Sequence, residues 1–130
     1  MQATCMSRPA PAANAPVTRR SACPVACSLD VIGDRWTLLV VRDLLAGKKR
    51  FGEFVASPER IPTNILTERL RRLETAGLIE TRRYSERPPR AEYVLTPRGL
   101  ELGPVLDAVA SWGLAQFPGT RRGKRASAGA

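Results

Sequence analysis

The side chains of this sequence with the most reactive chemistry are three cysteines, Cys5, Cys23 and Cys27. Pro24 suits the first turn of a helix, so Cys23 is predicted at the N-cap, where backbone N–H groups and the helix dipole favour a thiolate. Arg19 and Arg20 would add positive potential nearby. Cys23 is therefore a candidate redox sensor that oxidants convert to sulfenic acid; the alternative is a small, inert thiol buried in an interface.

Other chemistry is limited by what the sequence lacks. It contains no histidine, the commonest general base and metal ligand. Cys27 lies one helical turn beyond Cys23, where parallel side chains do not meet disulfide geometry, although a bond between subunits stays open. Two cysteines without a histidine supply too few ligands for a tetrahedral metal site, unless a dimer pools them. No nucleophile with a base, recognisable carboxylate pair or glycine-rich phosphate loop occurs, so we predict no enzyme, metal or cofactor.

Positive charge is the strongest compositional signal, because 21 lysines and arginines outnumber 12 acidic residues and leave a net charge of +9. Such a charge favours a polyanionic partner. Much of it lies in residues 1–20 and 118–130, which are predicted to be disordered tails, the second of them basic. The single domain predicted at 21–117 is nearly neutral, so the inference depends on where its cations lie.

Apolar spacing predicts four helices in the first part of this domain. The first two cover about 23–33 and 34–45, and the third is a short segment that turns Phe51 and Phe54 toward the core. The fourth covers 62–76 and ends at Gly77. The second helix is apolar on much of its surface and is predicted to form the centre of the core.

A β-hairpin and a closing helix are predicted to follow. The strands are Leu78–Tyr84 and Ala91–Leu95, and the segment between them is not expected to continue the ladder at Pro88 and Pro89. The closing helix starts at Thr96-Pro97 and is interrupted by Pro104. Beyond that break its apolar surface exceeds a single stripe and is expected to pack against a second subunit through Val105, Leu106, Val109, Trp112 and Leu114.

The fourth helix has an outer face that is polar and partly cationic, and it follows a short turn bounded by Pro58 and Pro62. This order is typical of a helix-turn-helix with a wing, whose second helix enters the DNA major groove. The predicted contacts in the groove are Thr63, Asn64, Thr67, Glu68, Arg71 and Arg72. The predicted phosphate contacts are Lys48, Lys49, Arg50 and Arg60. At the wing the predicted contacts are Arg87 and Arg90.

Several short motifs also resemble one known family: Cys23-Pro24-Val25, Ile32-Gly33-Asp34-Arg35-Trp36, Arg50-Phe51-Gly52-Glu53-Phe54, the segment Leu66 to Glu74, Gly77-Leu78-Ile79, and Trp112-Gly113. Over about residues 23–113 the sequence resembles the HxlR-type regulators within the MarR-like winged-helix group. The resemblance implies a mainly α fold with a small β-hairpin (α+β) and a homodimeric transcription factor joined through its terminal helices. Some members respond to oxidants or electrophiles through a cysteine that matches Cys23. The sequence departs from the family at Arg35 and at Pro62.

The partners expected from this reading are duplex DNA, a second copy of the chain, and a small-molecule or oxidant signal. No apolar run is long enough for a membrane span and no secretory signal is recognisable, so a cytoplasmic location without a membrane partner is predicted. The alternative function is a winged-helix protein–protein interaction module that does not bind DNA. Such a module would need an exposed apolar patch on the fourth helix, and its outer residues do not form one.

Overall fold

The computed structural model describes residues 20–86 and 89–123, and the helices and strands predicted from the sequence are all found there. They are α1 (Pro24–Ile32), α2 (Thr37–Leu45), α3 (Phe51–Val55), α4 (Thr63–Thr75), β1 (Ile79–Glu86), β2 (Pro89–Leu95), α5 (Pro97–Leu100) and α6 (Gly103–Gln116). The disordered tails predicted at 1–20 and 118–130 stay predictions. Residues 1–19 and 124–130 lie outside the described part, whereas residues 118–123 belong to it.

Helix α2 begins three residues later than its apolar pattern predicts, because Asp34 acts as a cap outside the helix. Its carboxylate accepts hydrogen bonds from the backbone N–H groups of Trp36 (2.7 Å) and Thr37 (2.8 Å) and from the Thr37 hydroxyl (2.6 Å). These bonds satisfy N–H groups that the start of a helix leaves without partners. The predicted start at Asp34 is therefore wrong.

The core lies between α2, α3, α4 and the base of the hairpin. Its buried members include Val41 of α2, Phe54 of α3 and Leu66 and Leu73 of α4. Phe54 packs edge-on against Tyr93 of β2 with ring centroids 6.2 Å apart. The predicted inward direction of Phe54 is confirmed, and Phe51 packs half-buried against the same cluster.

The hairpin is longer than predicted. Strands β1 and β2 pair antiparallel from Ile79 opposite Leu95 to Glu86 opposite Pro89, with a bulge between Arg83 and Ser85. The expectation that the ladder cannot continue at Pro89 is wrong, because a proline is tolerated as the first residue of a strand at a sheet edge. Pro88 lies outside the described residues.

Thr96 joins the hairpin to the last two helices. Its hydroxyl accepts a hydrogen bond from the N–H of Gly99 (3.1 Å), as expected of an N-cap, and donates one to the carbonyl of Gly77 (2.7 Å). The predicted interruption of the closing helix is found between α5 and α6, two residues before Pro104. Helix–turn–helix and hairpin together form the winged helix-turn-helix fold that the motifs predict.

Candidate nucleic-acid interface

Helix α4 has one face in the core and one in solvent. Leu66, Leu70 and Leu73 are buried on the inner side. The predicted groove residues Thr63, Asn64, Thr67 and Arg71 are exposed. The leucine anchors hold the helix against the body, so the polar groups are presented to solvent on a rigid element rather than on a loop.

The exposed groups on α4 differ in how far they are already engaged. The Thr67 hydroxyl donates to the Thr63 carbonyl one turn earlier at 2.9 Å, which leaves its oxygen as an acceptor. Within the described part of the chain, neither Asn64 nor Arg71 forms a side-chain hydrogen bond or ion pair. The amide and the guanidinium therefore keep their full bidentate hydrogen-bonding capacity for an outside partner.

The other two predicted groove residues take part in an ion network that we call the Asp34 network, formed by Asp34, Glu68, Arg69 and Arg72. Arg69 Nε lies 3.2 Å from Asp34 Oδ2, and the Arg69 side chain is only 16% exposed. Glu68 pairs with Arg69 and lies 3.9 Å from Arg72, which is 4.0 Å from Asp34. The network links the cap of α2 to the middle of α4, so it holds α4 against the start of α2.

The Asp34 carboxylate is the anionic centre of this network. Burial favours its neutral form, but hydrogen bonds from Thr37 and Trp36 and the charge of Arg69 outweigh burial and lower the pKa of Asp34 to about 2. Asp34 is therefore ionised throughout the physiological pH range. Sequence reasoning did not assign this role, although Asp three residues before Thr37 is a recognisable capping pattern.

The turn between α2 and α3 carries three cations in three different states. Lys48 Nζ donates to Ser57 Oγ at 2.7 Å and lies 3.7 Å from Asp43, so it is held toward the body. The Arg50 guanidinium lies 4.5 Å from the centre of the Tyr84 ring and 3.4 Å from Glu92. The Lys49 ammonium is exposed and has no ion pair within the described residues.

This turn and the hairpin are joined. The Lys49 carbonyl accepts a hydrogen bond from the N–H of Tyr93 on β2 at 2.8 Å. Glu53 accepts from the N–H groups of Lys49 (2.7 Å) and Arg50 (3.0 Å), and these bonds lower the pKa of Glu53. The cationic turn and the wing are consequently fixed relative to each other.

At the wing, the structure describes Arg90, which is exposed, while Arg87 lies outside the described residues. Arg82 and Tyr84 on β1 were not among the predicted contacts, although both lie on a strand that the sequence predicts. The Arg82 side chain is 66% exposed, 3.8 Å from Glu80, and Tyr84 is partly exposed beneath Arg50. Arg60 is the last of the four predicted phosphate contacts. It is exposed in the turn before α4, without an ion pair within 20–86 and 89–123.

Cys23 is the N-cap of α1, as predicted, and it is exposed. Cys27, one turn further on, is half-buried, and its thiol donates to the Ser21 carbonyl at 3.3 Å. The contribution of Arg20 to the potential at Cys23 stays a prediction, and its guanidinium pairs with Asp30 at 2.6 Å. Arg19 and Cys5 lie outside the described residues.

The terminal helices and the residue that follows α6 expose seven large apolar side chains, which we together call the α1/α6 face. It consists of Val25, Leu29, Val105, Val109, Trp112, Leu114 and Phe117. Trp112 is 62% exposed and meets Phe117 edge-on with ring centroids 6.0 Å apart. Of the predicted apolar set, only Leu106 packs partly buried against the core of the same chain.

Two further observations concern the described residues as a group. They contain no set of three or more cysteine or acidic side chains placed to hold a metal ion. None of their helices is both long enough and apolar enough to cross a bilayer.

Residues 31–120 match the family model described as HxlR-like helix-turn-helix. Over 87 residues the chain is 44% identical to an uncharacterized HTH-type transcriptional regulator of Synechocystis sp., which covers 67% of this chain and 64% of that protein, just under two thirds of its length. It is 42% identical to the uncharacterized HTH-type transcriptional regulator YdeP of Bacillus subtilis, covering 70% of this chain and 71% of the relative.

Solved structures of transcriptional regulators are also similar to this chain. The reduced form of the redox regulator HypR superposes with a TM-score of 0.69 at 36% identity, covering 74% of this chain and 95% of that one. The reduced form of the transcriptional regulator YodB from B. subtilis superposes with a TM-score of 0.62 at 29% identity, covering 76% and 98%. The likeness therefore extends over nearly the full length of both solved chains.

Proposed function

The chain belongs to the HxlR-like helix-turn-helix family of transcriptional regulators, and on that premise we propose that it binds specific duplex DNA sites as a homodimer. The observation that carries the proposal is the outer face of α4. It presents an amide, a guanidinium and two hydroxyls to solvent from a helix whose opposite face is anchored in the core.

Base recognition is assigned to this face. An α-helix fits the width of the major groove, where Asn64 can pair with adenine and Arg71 with guanine in bidentate geometry. Thr63 and Thr67 can accept or donate a hydrogen bond or contact a thymine methyl group. Glu68 and Arg72, whose charges are shared with Asp34 and Arg69, are proposed to hold α4 in position and to contribute at the margin of the groove.

Phosphate contacts are assigned to cations around α4. Lys49, Arg60 and Arg90 are exposed without intramolecular ion pairs in the described residues, so they can neutralise phosphates at no cost in internal contacts. Lys48 already contacts Ser57, and Arg50 already contacts Tyr84, so these two residues contribute through the shape of the turn and its local potential. Arg87 is proposed for the wing tip from its position in the sequence alone.

The homodimer is assigned to the α1/α6 face. A monomer rarely exposes an apolar surface of this kind, and a second copy related by twofold symmetry would cover the same residues on both chains. Two recognition helices would then read half-sites about one helical turn of DNA apart, roughly 34 Å.

Redox control is assigned to Cys23. Its exposed thiol caps the start of α1, two residues before Val25 of the α1/α6 face, so we assign it to the edge of the proposed dimer contact. In the reaction with hydrogen peroxide, the thiolate attacks one oxygen, the O–O bond breaks, and the products are a sulfenic acid and hydroxide. HypR, which is similar to 74% of this chain, is a redox regulator.

The test is fluorescence anisotropy of the reduced protein with random duplex DNA and with a duplex enriched by repeated selection, from about 50 to 200 mM salt. We expect tighter binding to the enriched duplex and a steep salt dependence. Mild peroxide should weaken binding of the wild type and of Cys27→Ser but not of Cys23→Ser. No DNA binding at low salt would instead favour an interaction module, and equal loss in Cys23→Ser would reject the sensor.

A further inference from the structure

A cavity of about 520 Å³ lies between the C-terminal end of α2, helix α6 and residues 121–123. This volume falls within the range of small-molecule sites in proteins, about 300–1,000 Å³. Most of its wall is apolar, formed by Leu45, Ala46, Pro58, Leu106, Val109 and Ala110, of which Val109 is shared with the α1/α6 face. The cavity lies apart from the polar face of α4, and none of the contacts assigned above to base recognition lines it.

Positively charged side chains outnumber negatively charged ones in the lining of this cavity. Four cations and two carboxylates line it: Arg42, Lys48, Arg121, Arg122, Asp43 and Asp107. Arg42 binds Glu59 through two hydrogen bonds of 2.9 and 2.8 Å, Lys48 binds Ser57, and Arg122 binds Asp107 at 2.8 Å. Within the described residues, Arg121 alone among the four cations forms no hydrogen bond or ion pair.

We propose that this cavity binds an apolar organic molecule with one carboxylate group, and that Arg121 pairs with that carboxylate. The apolar wall would take the hydrocarbon part, and the guanidinium would supply a bidentate partner for the anion. The net positive lining disfavours a cationic ligand and leaves a neutral one without a partner for Arg121.

The cavity is placed to influence DNA binding, and this part of the inference rests on the proposed function. Its wall includes Asp43 and Lys48, which together bind the Ser57 hydroxyl. These contacts fix the turn that precedes α3, and Lys48 begins the cationic segment of that turn. A ligand that rearranges Lys48 would therefore change the surface offered to phosphates, and DNA would change ligand affinity by the same factor.

The test is isothermal titration calorimetry of the full chain, without DNA, using 1-naphthoate and its neutral counterpart 1-naphthamide. We expect naphthoate to bind about tenfold more tightly than the amide, which corresponds to one well-placed charged contact. Arg121→Gln should abolish that ratio, while Arg98→Gln, which removes an exposed arginine on α5, should keep it. Ala110→Phe, which fills the cavity, should abolish binding of both compounds.

Equal affinity for the two compounds, an unchanged ratio in Arg121→Gln, or undiminished binding in a folded Ala110→Phe would overturn the proposal. A second copy of the chain is the competing occupant: loss of naphthoate binding as the protein concentration rises would assign the cavity to the dimer instead. Because the titration contains no DNA, its failure is distinct from failure of the proposed function. DNA affinity that is unchanged by saturating naphthoate would reject the regulatory step.

Discussion

Arg60 lies in the turn between α3 and α4 with φ of 59°, in the left-handed region that residues other than glycine rarely adopt. Its N–H donates to the Ser57 carbonyl at 3.0 Å, so the turn itself fixes this conformation. A left-handed L-residue costs roughly 1–2 kcal/mol. An exposed cation at such a site, in the turn before α4, agrees with the phosphate contact proposed for Arg60.

Arg60→Gly is expected to leave the free energy of unfolding unchanged or raise it by up to about 1 kcal/mol, since glycine relieves the strain at some entropic cost. DNA affinity at low salt should fall, because a phosphate contact is lost. Arg60→Ala is the matched control, which should lose the same DNA affinity without the gain in stability. Urea unfolding and anisotropy check the two effects; full DNA affinity in both variants would show that Arg60 does not contact phosphate.

Asp34→Asn tests the network that fixes α4. A carboxyl whose pKa is lower in the folded than in the unfolded state stabilises the fold above its unfolded pKa, and that contribution disappears as pH falls toward the folded value of about 2. Allowing for solvent screening, we expect the variant to lose about 1–2 kcal/mol near pH 7. The difference from wild type should shrink below about pH 4.

Urea unfolding at several pH values checks this prediction, with Glu101→Gln as the control. Glu101 is exposed and forms no ion pair in the described part of the chain, so its variant should follow the wild type at every pH. A pH-independent difference for Asp34→Asn would mean that the lost contribution is the geometry of the cap rather than its charge.

At the scale of elements, hydrophobic spacing was sufficient to predict α2, α3, α4 and both strands, because their apolar residues pack in the core. Helices α1 and α5 were predicted instead from Pro24 and from Thr96-Pro97 at their starts. The exact ends of the helices and strands were harder to predict. The start of α2 depends on hydrogen bonds to Asp34, and the last rungs of the hairpin depend on Pro89 lying at an edge. Both are tertiary or local bonding effects that apolar periodicity does not contain.

Helix α5 packs closely on the α4–β1 connection at Gly99. Gly99 is buried, and a Cβ atom there would lie 2.1 Å from the Leu78 carbonyl oxygen. Gly99→Ala should therefore lower the free energy of unfolding by about 1–3 kcal/mol, as expected of overpacking.

Gly52→Ala is the matched control for this substitution. Gly52 lies in α3, and nothing stands within 4 Å of the added Cβ. Alanine should therefore stabilise the protein by about 0.5–1 kcal/mol through helix propensity. Thermal unfolding compares the two variants; equal effects would mean that α5 moves to accommodate the new methyl group.

At the scale of the whole molecule, the sequence was enough to predict which side chains of α4 are exposed. It was not enough to predict which of the surrounding cations have intramolecular partners. The exposed face of α4 follows from its period, whereas the engagement of Lys48, Arg50 and Arg72 depends on partners distant in the chain. Arg50, for example, meets Glu92 across a separation of 42 residues. No local pattern separates such a cation from the free Lys49 beside it.

The α1/α6 face leads to a prediction about assembly. Trp112→Glu replaces an aromatic side chain of this face that is 62% exposed with a charge, and it should convert a dimer to a monomer, with loss of DNA affinity. Ser111→Glu is the control, since Ser111 is exposed on the same helix but is not part of that face. Analytical ultracentrifugation measures the mass; an unchanged dimer in Trp112→Glu would place the interface elsewhere.

The central claim, that the outer face of α4 reads bases, is tested most directly by the ratio of affinities for the selected duplex and a scrambled duplex. The combined variant Asn64→Ala/Thr67→Ala/Arg71→Ala should reduce this ratio toward one, because each bidentate base contact contributes about 1–3 kcal/mol of discrimination. Arg98→Ala should keep the wild-type ratio. A folded combined variant that still prefers the selected duplex as strongly as the wild type would contradict the account.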